Sequence, residues 1–248
     1  MNIFILAAGL GTRLKPLTDT MPKALVPIEG RPLLQILIEK IKKECESPEI
    51  VINIHHFAEQ IVTFLIEKHS FDVPITFSKE QEMLLETGGG LKKAATLFAN
   101  DEPILIHNVD ILCNVDLGAF YRQHANETDV AATLIVSERQ TKRYLLFNDE
   151  NRLVGWTNIE TGEVKSTYQD LNVEQCKKYA FSGIHVVSKS LIGLMDEWDG
   201  AFPIVDFYLS VCDKAVIKAD VRKDLKLLDV GKLDTLNRAE TMVKELGL

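Results

Sequence analysis

Short runs of consecutive apolar residues alternate along the chain with stretches in which apolar residues recur every three or four positions. Ile3 to Ala7 is an apolar run closed by glycine, the pattern of a buried strand. Pro32 then opens a segment that puts Leu33, Leu34, Leu37, Ile38 and Ile41 on one face, which predicts a helix with proline in its first turn. Ile50 to Ile54 predicts the next strand, and Ala58, Ile61, Val62 and Leu65 the next helix. A third strand over Ile75–Phe77, a helix over Leu91–Phe98 and a fourth strand over Ile104–Ile106 follow. Regular alternation of this kind predicts βαβ crossovers and a mainly parallel sheet covered on both faces, an α/β fold.

After Asp110 the rhythm loosens. Val130–Val136 and Ala180–Val187 read as strands, with a hairpin between them built from Tyr144–Phe147, a turn at Asp149–Asn151, and Leu153–Trp156. Leu233, Leu236, Ala239, Val243 and Leu246 mark a closing amphipathic helix over Lys232–Leu246. No repeat, low-complexity tract or linker interrupts the chain, so a single domain over 1–248 is expected, with halves 1–110 and 111–248.

The 248 residues carry a net charge of −8, which argues against a broad nucleic-acid surface but leaves room for a local cationic site. Cys45, Cys113, Cys176 and Cys212 stand singly, without metal or dithiol spacing, as in a cytoplasmic protein with reduced thiols. The N-terminus lacks the pattern of a signal peptide, and no run approaches a membrane span, so a soluble cytoplasmic protein without membrane partners is expected.

The most informative stretch runs from Leu6 through Ala7, Ala8, Gly9, Gly11, Thr12 and Arg13 to Pro16-Leu17-Thr18, then Pro22-Lys23 and Pro27. It leaves the C-terminal end of the first strand, where open parallel sheets bind ligands. Gly9 and Gly11 let backbone N–H groups approach an anion, and Arg13 and Lys23 add fixed positive charge. On residue types alone, a glycine turn with two surface cations is an equally plain reading. The stretch resembles LxAGxGTRxxPLTxxxPKxxxP, the signature of the sugar-1-phosphate nucleotidyltransferases, at nearly every fixed position. Its short N-acetylmuramate-1-phosphate uridylyltransferase-like members are the most similar in pattern.

The resemblance implies a Rossmann-like three-layer α/β/α fold of the GT-A-like kind, with a smaller sugar-binding β subregion. By the same resemblance Ala7, Ala8, Gly9, Gly11 and Thr12 wrap a nucleoside triphosphate, Arg13 holds the departing pyrophosphate, and Lys23 sits near the reacting phosphates. Glu86-Thr87-Gly88-Gly89-Gly90, placed just before a predicted helix, is either a loop tolerating unusual backbone angles or a flat surface for a planar ligand. The family makes the second choice, with Glu86 and Gly88 as base readers. The strand ending His107-Asn108-Val109-Asp110 corresponds to the family's Gly-Asp, which implies that Asp110 binds Mg²⁺ and that Asn108 lies beside the nucleotide. Val109 replaces that glycine, and its branched side chain is expected to take space near the ligand. Asp229 in Asp-Val-Gly corresponds to the second metal ligand, and two carboxylates plus substrate phosphates suit Mg²⁺.

On the sugar side the resemblance carries over only Gly183, in Phe181-Ser182-Gly183-Ile184. Where many relatives carry Glu-Lys-Pro, this chain has Trp156-Thr157-Asn158, and an acid of the muramate-type enzymes is missing near Arg143 and Tyr144. His55-His56 reads as a strand-end pair, and Phe202–Leu209 as core or an association face. The expected reaction is attack of a sugar 1-phosphate on a nucleoside triphosphate, with UTP and N-acetylmuramate 1-phosphate leading. A guanylyltransferase for mannose or heptose 1-phosphate comes next, then cytidylyl or thymidylyl transfer, and a catalytically weak nucleotide-sugar sensor is a reading of another class. Arg13, Lys23, Asp110 and Asp229 standing together favour an enzyme.

Overall fold

The computed structural model describes residues 1–248. The first half runs β1 (Asn2–Leu6), β2 (Pro27–Ile28), β3 (Arg31–Pro32), α1 (Leu33–Glu44), β4 (Glu49–Ile54), α2 (Ala58–Glu67), β5 (Ile75–Lys79), α3 (Glu86–Ala95) and β6 (Ile104–Asn108). The second half runs β7 (Ile111–Cys113), α4 (Leu117–Ala125), β8 (Ala132–Ser137), β9 (Arg143–Phe147), β10 (Leu153–Asn158), β11 (Glu163–Lys165), β12 (Lys177–Val187), α5 (Lys189–Gly193), α6 (Ile204–Val211), β13 (Ile217–Val221), β14 (Leu227–Asp229) and α7 (Leu236–Leu246).

Four strands lie parallel in the order β5-β4-β1-β6, the doubly wound arrangement whose ligand crevice opens at the C-terminal strand ends. The α/β fold with a largely parallel central sheet is as expected. Side chains of β1 alternate faces as the two-residue period requires. Ile3 and Ile5 join a core with Leu34 and Ile38 of α1 and Ile61 of α2, while Phe4 joins a core with Leu91 of α3 and Phe207 of α6. A smaller cluster packs Leu14, Val26 and Ile28 of the first loop against Ala239 and Val243 of α7.

The two halves share one sheet through β12. Its residues Ile184–Val187 pair antiparallel with β6, Ala180–Val187 with β8, and Lys177–Tyr179 with β9. Between Phe181 and His185 the register slips: four residues of β12 advance against two of β8, from Val136 to Leu134. Gly183 sits in this bulge at φ +81°, where a side chain is strained and a methyl would come within 2.7 Å of the Asn108 amide nitrogen. The bulge thus turns Ser182-Gly183 toward the end of β6.

Several boundaries differ from the hydrophobic pattern. The closing helix starts at Leu236, after a 3₁₀ turn over Leu233–Thr235, and β12 starts at Lys177. The largest difference is α3, which begins at Glu86 and contains the three glycines, so they are not a loop. A methyl on Gly88 would run into the Phe202 ring, and one on Gly89 into the Gly200 carbonyl. Glycine costs a helix interior about 1 kcal/mol relative to alanine, and here it lets the Gly200–Phe202 segment lie against the helix backbone. The Gly88 N–H donates to the Phe202 carbonyl at 2.8 Å. Phe202, Phe207 and Tyr208 are core rather than an association face. No helix is long and apolar enough to cross a membrane.

Three histidines are buried. His124 is bonded at both ring nitrogens, to the Thr133 and Ser188 hydroxyls at 2.8 and 2.9 Å. His185 has no partner at either nitrogen and lies between a stacked Phe181 and the edge of Tyr208. Burial pushes His107 and His124 down to about 4 and His185 down to about 3. The unfolded chain therefore binds protons below about pH 6.5 that the folded chain refuses, so stability falls as pH drops from there toward 4. Per histidine the loss is on the order of 3 kcal/mol. His185→Leu, which removes an unpartnered imidazole from apolar surroundings, is expected to flatten the acid limb of a melting-temperature profile between pH 6.5 and 4. An unaltered acid limb would count against this assignment.

Candidate active site

The ends of β1 and β6 are tied together, the Val109 N–H donating to the Leu6 carbonyl at 3.1 Å. Above them lies a cavity of about 440 Å³ whose walls include Ala7, Ala8, Gly9, Lys23, Glu86, Asn108 and Asp110. Seven sequence-predicted residues thus meet in one cleft. Gly11, Thr12 and Arg13 do not line it; they lie further along the first loop, in and just before a 3₁₀ turn over Thr12–Leu14. Gly88 lies buried beneath Phe202, behind Glu86 and Thr87, which line the cleft. Glu86 does face the cleft, at φ +58°. Val109 is 4% exposed and packs into the core with Ile5 and Leu105, and it also forms part of the wall of this cavity.

The wall of the cleft is held by two residues that motif reading passed over. Asn53, at the end of β4, accepts from the backbone N–H groups of Ala7 (2.6 Å) and Ala8 (3.2 Å). Its amide donates to Glu80 at 2.8 Å, and the other Glu80 oxygen accepts from the Leu85 N–H at 2.8 Å. Asn53 and Glu80 are both 2% exposed. One buried relay therefore sets the turn after β1 and the entry to α3 together. The Ala7 and Ala8 N–H groups are consumed by it and are not free for a phosphate. The His55 Nδ1–H donates to the Glu80 carbonyl at 2.6 Å, which accounts for one member of the strand-end pair.

Asp110 and Asp229 come from distant parts of the chain. The ribbon of β7 and β14 pairs Asp229 with Ile111, and the Val230 N–H donates to the Asp110 carbonyl at 2.8 Å. This brings the two carboxylates within hydrogen-bonding reach of each other. Lys23 ion-pairs with Asp110. Arg13 approaches Asp229: a methyl on Gly231 would lie 2.8 Å from the guanidinium and 2.6 Å from the Asp229 Oδ1. Burial first, and then the Asp110 charge, raise the Asp229 carboxyl above its ordinary range, against the pull of Lys23 and Arg13. No cluster of three acidic, histidine or cysteine ligands exists here. Two close carboxylates that repel one another fit Mg²⁺ only if phosphate oxygens and water complete its shell, which is how Mg²⁺ is usually held.

A second cavity, of about 390 Å³, adjoins the first and shares Leu6, Thr87 and Asn108 with it. Asp229, Gly183, Phe181, His185 and Arg139 are among its walls. Asp110 faces one cavity and Asp229 the other, so the acid pair stands at their junction.

A model of the nucleotidyl transferase family matches residues 3–245. The chain belongs to this family. Within it, the chain is 38% identical over 122 residues to the N-acetylmuramate alpha-1-phosphate uridylyltransferase of Neisseria meningitidis serogroup B, covering 49% of this chain and 52% of that protein. It is 36% identical over 140 residues to the mannose-1-phosphate guanyltransferase of Gibberella zeae, covering 54% of this chain and 38% of that one. The chain thus spans about half or less of these relatives. HddC from Yersinia pseudotuberculosis, complexed with GMP-PN, superposes with a TM-score of 0.73 at 23% identity, covering 97% of this chain and 98% of that one. The inositol-1-phosphate CTP transferase of T. maritima gives 0.76 at 15% identity, with 99% and 95% covered. At these identities the superpositions establish the fold.

For this family member the relay through Asn53 gives a direct test. Asn53→Ala strands two buried N–H groups and a buried carboxylate, at a cost of roughly 3 kcal/mol. Chemical denaturation should show that loss, and a fluorescent nucleoside triphosphate should bind at least tenfold more weakly because the turn after β1 loosens. A denaturation midpoint equal to that of the parent would remove the relay from its supporting role.

Proposed function

We propose that this protein transfers a nucleotidyl group from a nucleoside triphosphate to a sugar 1-phosphate, releasing pyrophosphate. The observation that carries this reading is the acid pair at the junction of two cavities, with Lys23 and Arg13 beside it. One cavity suits the nucleotide and the other the sugar, so the halves 1–110 and 111–248 act as parts of a single catalytic domain. UTP and N-acetylmuramate 1-phosphate lead, on the likeness to the Neisseria uridylyltransferase. Guanylyl transfer to a mannose or heptose 1-phosphate is the second reading, on the likeness to the guanyltransferases.

The attacking phosphate is already ionised, so the reaction needs no general base. One of its oxygens attacks the α-phosphorus in line, and the bond to the pyrophosphate oxygen breaks. The chain's own task is to align two polyanions and to balance their charge. Lys23, now paired with Asp110, would turn toward the α-phosphoryl oxygens, and Arg13 would hold the leaving pyrophosphate. Ala7, Ala8, Gly9 and Glu86 shape the nucleotide side, with Gly11 and Thr12 completing the loop, and Gly183 leaves the space for the sugar. Asn108 faces both cavities and aligns the two substrates. Asp110 and Asp229 would hold Mg²⁺, which supplies Lewis-acid charge to the reacting phosphates.

Pyrophosphate release, measured with four nucleoside triphosphates against muramate, glucose, mannose and heptose 1-phosphates in Mg²⁺, tests the reading. Asp110→Asn is expected to lower kcat by about 10²–10³-fold, the scale of losing one charge-stabilising group, while the melting temperature stays within a few degrees. Binding of nucleotide without turnover across the whole panel would favour a sensor instead.

A further inference from the structure

The second cavity carries an unusual charge arrangement for a neutral sugar. Only two of its walls are charged, Asp229 at the junction and Arg139. His185 is neutral, since burial holds it far below physiological pH. Phe181, Ile204 and Val205 supply apolar wall between them. Arg139 follows β8 and makes a single hydrogen bond, from Nη2 to the Phe181 carbonyl at 3.3 Å. It has no carboxylate partner, whereas Arg31, Arg152 and Arg222 are each paired with an acid. Its remaining guanidinium donors are therefore uncommitted.

The position of that cation along β12 matters. Asn108 and Gly183 mark the phosphate end of the cavity, where Asp110 and Asp229 stand. Phe181, whose carbonyl accepts from Arg139, lies two residues from Gly183 across the bulge, at most about 7 Å, the limit set by a fully extended chain. That is about the span of a pyranose ring. A sugar with its 1-phosphate at the acid pair would present its far side to the guanidinium. A guanidinium fork binds a carboxylate through paired, charge-assisted hydrogen bonds, and a hydroxyl far less well.

We infer that the sugar 1-phosphate carries a carboxylate on the side remote from its phosphate, and that Arg139 recognises it. The inference rests on the nucleotidyl-transfer reading and narrows its substrate to an anionic sugar. N-acetylmuramate 1-phosphate and N-acetylglucosamine 1-phosphate differ only in the carboxylate-bearing lactyl ether, so their kcat/KM ratio isolates the contact. The parent should favour the muramate, and Arg139→Gln should lower that ratio by about 10- to 100-fold, the scale of a hydrogen-bonded charge. Arg139→Lys should keep part of it.

Equal losses on both sugars would mean that Arg139 holds the phosphate they share, and an unmoved ratio would mean that it holds neither; both overturn the inference while nucleotidyl transfer stands. If the parent turns over no sugar with any nucleotide, the transfer reading fails instead. The Arg139 contact is then decided by calorimetry with the same two sugar 1-phosphates: tighter binding of the muramate that Arg139→Gln abolishes upholds it, and equal binding overturns it.

Discussion

Two carboxylates that repel each other are held together by a three-residue ribbon, and the organisation of the cleft follows from that constraint. Neither β7 nor β14 belongs to the large sheet. Their pairing draws the segment before α7 across to the end of β6, and so brings Asp229 from the last part of the chain to Asp110 in the middle. The cations gather around the same point: Lys23 pairs with Asp110 and Arg13 reaches Asp229. Holding like charges at close range is unfavourable in the fold on its own, which is why such pairs mark working sites more often than structural ones. Here the fold meets the cost with the packing of Leu228 and Val230 against Leu14, Val26 and Val243.

Rigidity on the opposite wall has another source. Asn53 and Glu80 join the ends of β4 and β5 to the turn after β1 and to the entry of α3 through four hydrogen bonds. A polar relay that is fully satisfied in a dry setting fixes one arrangement, because every alternative leaves a group unpaired. The glycines of α3 belong to the same device. A methyl on Gly90 would come within 3.2 Å of both the Asn53 amide and a Glu80 carboxylate oxygen, so the helix backbone lies close against the relay.

Much of this was legible in the residues. The alternation of periods up to Asp110 reflects burial on two faces, and each strand and helix it predicted in that half is present, displaced by a few residues at most ends. The cleft position of Lys23, Asn108 and Asp110 likewise agrees with a motif that leaves the tip of a parallel strand. Three adjacent glycines, by contrast, read as a break in the helix because intrinsic propensity disfavours them, and only the nearness of Phe202 reverses that judgement. Asn53 and Glu80 bear no local mark at all: an Asn ending one strand and a Glu following the next are joined to each other, and Asn53 to the first loop, across 27 or more positions.

The fork in β12 has a bearing on how such a molecule diversifies. Beyond the bulge Lys177–Tyr179 carries the pairing with β9, and β10 and β11 continue the sheet outward to the exposed β11. Leu145, Phe147 and Leu153 of β9 and β10 share a core with Phe4 and Ile106 of the parallel strands, whereas exchanges in β11 load few of those contacts. The parallel frame and the core it shares with β9 and β10 can therefore stay constant through descent while the outermost strand drifts.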